Sequence, residues 1–214
     1  MQRAIGVAAA ALVLAGSARG QPAPEHPAPG RSAPENLVLK PFTGAPWTRI
    51  TDQTARDGAW NHEAIPRGET EDDFTEILTD QGFPGLTGVD PADFVKQRFA
   101  QDALACDSLR TIGPTTRTEG GFRIVYAQIY CGQQRGRDYG AHIFFKVMLG
   151  DAALYAVSLN VRTPASPTAG VLSFPPGHEA DMQALLQTES AADGYIASSV
   201  YLCGGRSTDA RCGK

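Results

Sequence analysis

An α+β fold, with an antiparallel sheet packed against helices, is the class the sequence predicts, and three observations predict it. Residues 122–162 hold three strand-length runs in succession, each alternating in character and separated by short turns, which is the pattern of a three-strand meander. Residues 90–104 and the segment around Met182, Leu185 and Leu186 carry apolar residues at helical spacing. Further strand-like runs lie at 47–51 and 59–65, before the meander, and at 196–202, after it.

The 214 residues are 42% hydrophobic, 20% charged and 8% aromatic, the make-up of one ordinary globular domain with something appended. That excludes a membrane channel, a collagen or coiled-coil rod, a wholly disordered chain and a disulfide-held mini-protein. A formal charge of −4, from 19 basic and 23 acidic residues, argues against an electrostatic grip on nucleic acid or anionic lipid.

Residues 1–20 read as a secretory signal peptide: Arg3, an apolar run from Ala4 to Ala15, then Gly16-Ser17-Ala18-Arg19-Gly20. Cleavage is expected after Gly20, with Ala18 the alternative. The apolar run is too short to cross a bilayer, which takes about 20 residues, and no Cys follows it to carry a lipid anchor. Losing Arg3 and Arg19 shifts the charge from −4 to −6, so the acidic character belongs to the exported part. The expected location is therefore periplasmic or secreted, with no transmembrane anchor after cleavage. Residues 21–46 contain Pro22, Pro24, Pro27, Pro29, Pro34, Pro41 and Pro46, and read as an extended, disordered spacer. Residues 47–214 are left as a single domain.

Within that domain the elements follow in order. Runs 47–51 and 59–65 make a hairpin across Asp57-Gly58, and Pro66 stops the second strand. Thr70 is read as an N-cap with Glu71, Asp72 and Asp73 in a first helical turn, Phe74, Ile77 and Leu78 as its apolar stripe, and Gly82 and Pro84 as its end. Asp90-Pro91 starts a second helix that packs through Phe94, Val95 and Phe99 and runs to about Leu104. A turn-rich connection at 163–170 leads to the helix of Met182, Leu185 and Leu186, and the strand at 196–202 leads into Cys203.

The meander carries the candidate site. A three-residue turn pairing Ile143 with Leu159 and Phe145 with Val157 keeps one face wholly apolar, which is the reason to prefer it over a two-residue turn. The other face then presents Gln128, His142 and Asn160 in one row, Tyr126, Phe144 and Ser158 in the next, and Ile124, Lys146 and Ala156 in the third. Tyr126, Gln128, His142, Lys146, Ser158 and Asn160 are thus candidate ligand-binding residues for a small molecule or peptide. The competing reading is that a helix covers this face and His142 is satisfied by its neighbours.

Four cysteines in an exported chain make two disulfides the default, and Cys203–Cys212 with Cys106–Cys131 is the favoured set of the three possible. With no Cys-x-x-Cys pair, neither a structural zinc site nor a thioredoxin-like redox pair is expected.

The strand end at 63–69 (Glu-Ala-Ile-Pro-Arg-Gly-Glu) leading into 73–79 (Asp-Phe-Thr-Glu-Ile-Leu-Thr), then the meander, helix and closing strand, resembles exported bacterial domains of the PsbP and Mog1-like type over about residues 47–203. The resemblance implies an α/β sandwich whose members mostly act as binding or accessory proteins. It transfers no functional residue to a numbered position.

Catalytic motifs are missing: no Gly-x-Ser-x-Gly elbow, no His-Glu-x-x-His, no phosphate-binding loop and no dinucleotide fingerprint. With His26 in the spacer, only His62, His142 and His178 are available as a base, and His62 and Glu63 point to opposite sides of a strand. Glu69, Glu71, Asp72 and Asp73 lack the spacing and glycine of a calcium loop. Arg110, Arg117, Arg123, Arg135 and Arg137 form the one basic concentration, read as solubilising loop residues or a local anion patch. No catalytic residue, metal or cofactor is assigned. The expected function is a non-enzymatic binding or accessory domain for an envelope protein or small ligand. The alternative is an envelope hydrolase using His62 or His142 with a carboxylate distant in sequence.

Overall fold

A computed structural model describes residues 34–42 and 46–213. The expected signal peptide and most of the expected spacer fall outside the described residues. The elements are β1 (Asn36–Leu39), β2 (Trp47–Thr54), β3 (Trp60–Pro66), β4 (Glu76–Pro84), α1 (Pro91–Ala105), β5 (Leu109–Glu119), β6 (Phe122–Cys131), β7 (Tyr139–Leu149), β8 (Ala153–Pro164), α2 (Glu179–Ser198) and β9 (Val200–Cys203). Seven strands form one antiparallel sheet in the order β2-β3-β4-β8-β7-β6-β5, and β1 pairs with β9 in a separate two-stranded sheet. The class is α+β, as the sequence predicts.

Helix α1 packs on one face of the large sheet across β5, β6 and β7, while α2 packs on the other across β7 and β8. Each face has its own core. Val95 of α1 meets Val125, Ile129, Ile143, Phe145 and Val147 on the first, and Ala192, Tyr195 and Ile196 of α2 meet Phe144, Met148, Val157 and Leu159 on the second. Asp90 caps α1 as expected, accepting the Ala92 N–H at 2.9 Å, with Pro91 at the first helical position. No helix among the described residues is long and apolar enough to cross a membrane.

Four expectations are corrected. The helix read at 70–84 is a strand. Thr70 does accept the Asp73 N–H through Oγ1 at 3.2 Å, the capping contact its position suggested, but Glu69 then takes both the N–H and the hydroxyl of Thr75 at 2.7 Å and the turn closes there. From Glu76 the chain is extended and pairs with β3 on one side and β8 on the other, so two ladders outweigh a local helical stripe.

The meander register is the second. The runs at 122–131, 139–149 and 153–164 are consecutive antiparallel neighbours, but they sit inside a larger sheet, and β7 pairs with β8 as His142–Val161, Phe144–Leu159 and Lys146–Val157. Ile143 faces Asn160 and Phe145 faces Ser158 instead of the apolar partners expected. The expectation set one wholly apolar face against one mixed face, whereas every β7 residue from Tyr139 to Met148 is buried, so the polarity of alternate residues carries no register information there.

Third, Ile196 belongs to the last turn of α2, the strand begins at Val200, and Leu186 is 42% exposed. Fourth, Asn36–Leu39, read within the spacer, forms β1: Leu37 pairs with Leu202 and Val38 with Tyr201, while Phe42 lies edge-on to Tyr195 at 4.9 Å. Strand β5 was not foreseen at all; its polar, mostly exposed run makes an edge that reads as loop.

Both favoured disulfides are present. Cys106–Cys131 ties the end of α1 to the end of β6, and Cys203–Cys212 folds the tail back onto the end of β9. Two such bridges belong to a chain that folds outside the reducing cytoplasm, and each is worth about 2–4 kcal/mol.

Candidate functional site

Tyr126 and Gln128 on β6, and His142 and Lys146 on β7, do share one face, and helix α2 lies over it. Gln128 donates to Asp193 at 3.1 Å and meets His142 Nε2 at 3.3 Å. The His142 ring, 3% exposed, is layered between Tyr130 at 3.8 Å and Phe144 at 4.0 Å, with Nδ1 3.1 Å from Glu189 but out of hydrogen-bond alignment. Lys146 is wholly buried; its ammonium donates to Glu119 and to the Val200 carbonyl, both at 2.7 Å, and to the Ala197 carbonyl at 3.3 Å. Burial pushes its pKa down from the ordinary lysine value, and the Glu119 carboxylate pulls against that. Tyr126 donates to the same Glu119, and burial together with that carboxylate pushes its phenol well up. These four side chains hold α2 and its exit into β9. Ser158 and Asn160 lie on the opposite face, beside Phe145 and Ile143.

The five arginines are all engaged locally. Arg110 and Arg117 stand on β5 over the rings of Tyr130 and Tyr126, and Arg123, Arg135 and Arg137 face Asp90, Asp107 and Asp72.

A different place gathers chemistry. Past the edge of α2, the sheet face of β2, β3, β4 and β8 is roofed by β1, and between them lies a cleft of about 500 Å³. Direct cross-strand pairing puts Asp52, His62 and Asp80 in one row. His62 Nδ1 is 2.8 Å from Asp80 Oδ2 and Nε2 is 3.3 Å from Asp52 Oδ1, so the imidazole is held between two carboxylates. The next row is Trp60, Gly82 and Tyr155. The Trp60 indole donates to Asp80 at 3.2 Å and its ring is 5.8 Å from that of Tyr155.

Glu35, at the start of the roof, accepts the Asp151 N–H at 2.6 Å and the Ala152 N–H at 3.4 Å, clasping the β7–β8 turn. Burial, and then the Glu35 charge, pushes the Tyr155 phenol up. Behind the cleft Tyr195 is pushed up to about 12 by burial and by Asp80, and its buried hydroxyl has no partner among the described residues.

Among the described residues no Ser, Thr or Cys lines this cleft, and the one hydroxyl on its wall is that of Tyr155. Among the described residues no group of His, Cys, Asp and Glu is arranged to hold a metal ion. Of the residues here, sequence reasoning singled out His62 alone. Asp80 was assigned to a helix, which hid the period-two spacing that brings it opposite His62. Glu35 was assigned to the spacer, while nothing local marks Trp60 or Tyr155 as more than core.

Fold and site together define an antiparallel-sheet α+β protein, stapled by two disulfides, with a cleft between sheet and N-terminal strand. No family model matches the chain, the PsbP and Mog1-like resemblance included, and no curated protein matches it. Among solved structures the chain is similar to LpqN of Mycobacterium tuberculosis, described as involved in cell envelope biogenesis: 14% identity over 82% of this chain and 86% of that one, with a TM-score of 0.37. So loose a likeness carries no functional argument.

Proposed function

We propose that this chain is a non-enzymatic binding or accessory protein of an extracytoplasmic compartment, and that its ligand occupies the cleft between β1 and the large sheet. In this reading residues 1–20 direct export, and the proline-rich stretch after them is a spacer leading to β1. The observation that carries it is the cleft itself: about 500 Å³, two aromatic rings, a histidine and two carboxylates converging from four separated parts of the chain, with no Ser, Thr or Cys among the described residues that line it. The two disulfides support the compartment.

The test is a thermal-shift screen of the purified chain against defined amines, sugars, carboxylates and nucleosides. A ligand at about 100 times its Kd adds about 2.7 kcal/mol of stability, an easily read rise in Tm, and the rise is expected to vanish in Trp60→Ala. A rise that persists in Trp60→Ala puts the ligand elsewhere; no rise with any compound overturns the reading.

A second reading is favoured by one observation, the 2.8 Å contact of His62 with Asp80, 18 residues away in sequence. It makes His62 a general base that activates water in a hydrolase. Turnover of ester or glycoside reporters that is lost in His62→Ala would decide for it.

A further inference from the structure

We infer that the cleft takes an organic cation, an ammonium group seated on the outer face of the Trp60 indole; this rests on the reading of the cleft as the ligand site.

The platform comes first. A side chain at Gly82 would overlap Cη2, Cζ2 and Cζ3 of Trp60 together, so the glycine lies under the face of the indole rather than beyond its edge. One face of the ring is therefore pressed flat on β4, and the opposite face looks into the cleft. His62 is stacked alongside at 6.4 Å and Tyr155 flanks it at 5.8 Å, making three rings around one recess. An indole face carries negative electrostatic potential and is the best aromatic partner for a cation.

Charge is the second observation. Glu35, Asp52 and Asp80 gather here against Arg49 and His62. Arg49 answers Asp52 at 3.3 Å on the rim and the His62 ring lies 2.8 Å from Asp80, which leaves Glu35 without an ion-pair partner among the described residues and Asp80 facing only an imidazole and an indole N–H. Asp80 is only 14% exposed, so its field is weakly screened.

The third observation is where the donors point. The Trp60 N–H is spent on Asp80, and the two backbone N–H groups of the β7–β8 turn are spent on Glu35. The recess thus offers carboxylate oxygens and π faces to a ligand, with its indole and backbone N–H donors already engaged. An anion would meet two carboxylates, whereas an ammonium group meets what is already there.

The experiment follows the two tryptophan indole N–H resonances of the full chain by two-dimensional NMR, with Trp60→Phe supplying the assignment. Choline is titrated against 3,3-dimethylbutan-1-ol, its uncharged isostere, and against methyl glucoside. Choline is expected to move the Trp60 signal saturably, with the isostere roughly ten- to thirtyfold weaker, and to lose affinity as salt is raised. Asp80→Asn should weaken choline and leave the isostere unchanged.

Equal binding of choline and its isostere overturns the inference, because the recess would then be merely apolar. Methyl glucoside binding more tightly than choline also overturns it and leaves the cleft standing as the ligand site. A Trp60 signal moved by none of the three overturns it as well; the defined-compound screen then decides separately whether the cleft binds anything.

Discussion

Replacing Lys146 by methionine removes an ammonium group from the middle of the sheet while nearly keeping its volume. Three hydrogen bonds go with it, to Glu119, Val200 and Ala197, of which the first two are 2.7 Å long. Breaking a buried ion pair from one side costs about 3–5 kcal/mol. Two features lower that figure: Glu119 is 25% exposed, so water can answer part of its charge, and methionine no longer pays the desolvation that holds the Lys146 pKa down. What remains is the buried Val200 carbonyl, with no donor, and a half-answered carboxylate. The net loss is about 2–4 kcal/mol, or about 4–16 °C in Tm for a domain of this size. Urea unfolding followed by far-UV circular dichroism measures it. The double variant Lys146→Met, Glu119→Gln removes the orphaned charge and should recover about 1 kcal/mol. A single variant within about 0.5 kcal/mol of wild type would refute the view that this lysine pins the α2–β9 junction.

Other outcomes follow from the same structure. Glu76 is pushed up to about 7, from 4.5, by burial and by the charge of Glu69, so the folded state holds its proton where the unfolded chain does not. Its contribution is therefore fully favourable below pH 4.5 and is lost as pH rises to 7; allowing for its partial exposure this amounts to about 1–2 kcal/mol. Glu76→Gln should flatten the pH dependence of Tm across that window, and an unchanged slope would count against it. Gly82→Ala should lift the Trp60 indole off its seat, costing about 1–3 kcal/mol and changing tryptophan emission; an unaltered spectrum would mean that the ring has another resting place. Cys203→Ser with Cys212→Ser frees the tail that lays Arg211 over Tyr201 at 4.1 Å, and should cost about 2–3 kcal/mol in reversible melting. A loss that equals the effect of reductant on wild type would show that Cys106–Cys131 adds nothing.

Local chemistry was legible in the sequence wherever it acts over a few residues. Asp90-Pro91 capped a helix, Asp57-Gly58 turned a hairpin, and both cysteine pairings were as favoured. The candidate face was half right: Tyr126, Gln128, His142 and Lys146 do share a face, because β6 and β7 have the alternation assigned to them, but the expected rows are displaced by two residues, with Tyr126 opposite Lys146, Gln128 opposite Phe144 and Tyr130 opposite His142. Ser158 and Asn160 were lost by a one-residue change of register at the β7–β8 turn, which sends every side chain of β8 to the other side. Asp80 was lost with the helix that Thr70 seemed to cap.

By itself, then, the sequence determined the class, the hairpin, α1, the disulfides and the acidic balance, since each rests on a residue and its near neighbours. Tertiary structure decided the rest. Two cores on the two faces of β7 set the register, because a strand buried on both sides has no polarity to read. Pairing with β3 and β8 turned a helical stripe into β4 and brought Asp80 opposite His62, and β9 gave β1 an edge to bind, which roofed the cleft. A site assembled from Glu35, His62, Asp80 and Tyr155 has no signature in any single stretch; only the folded sheet makes them neighbours.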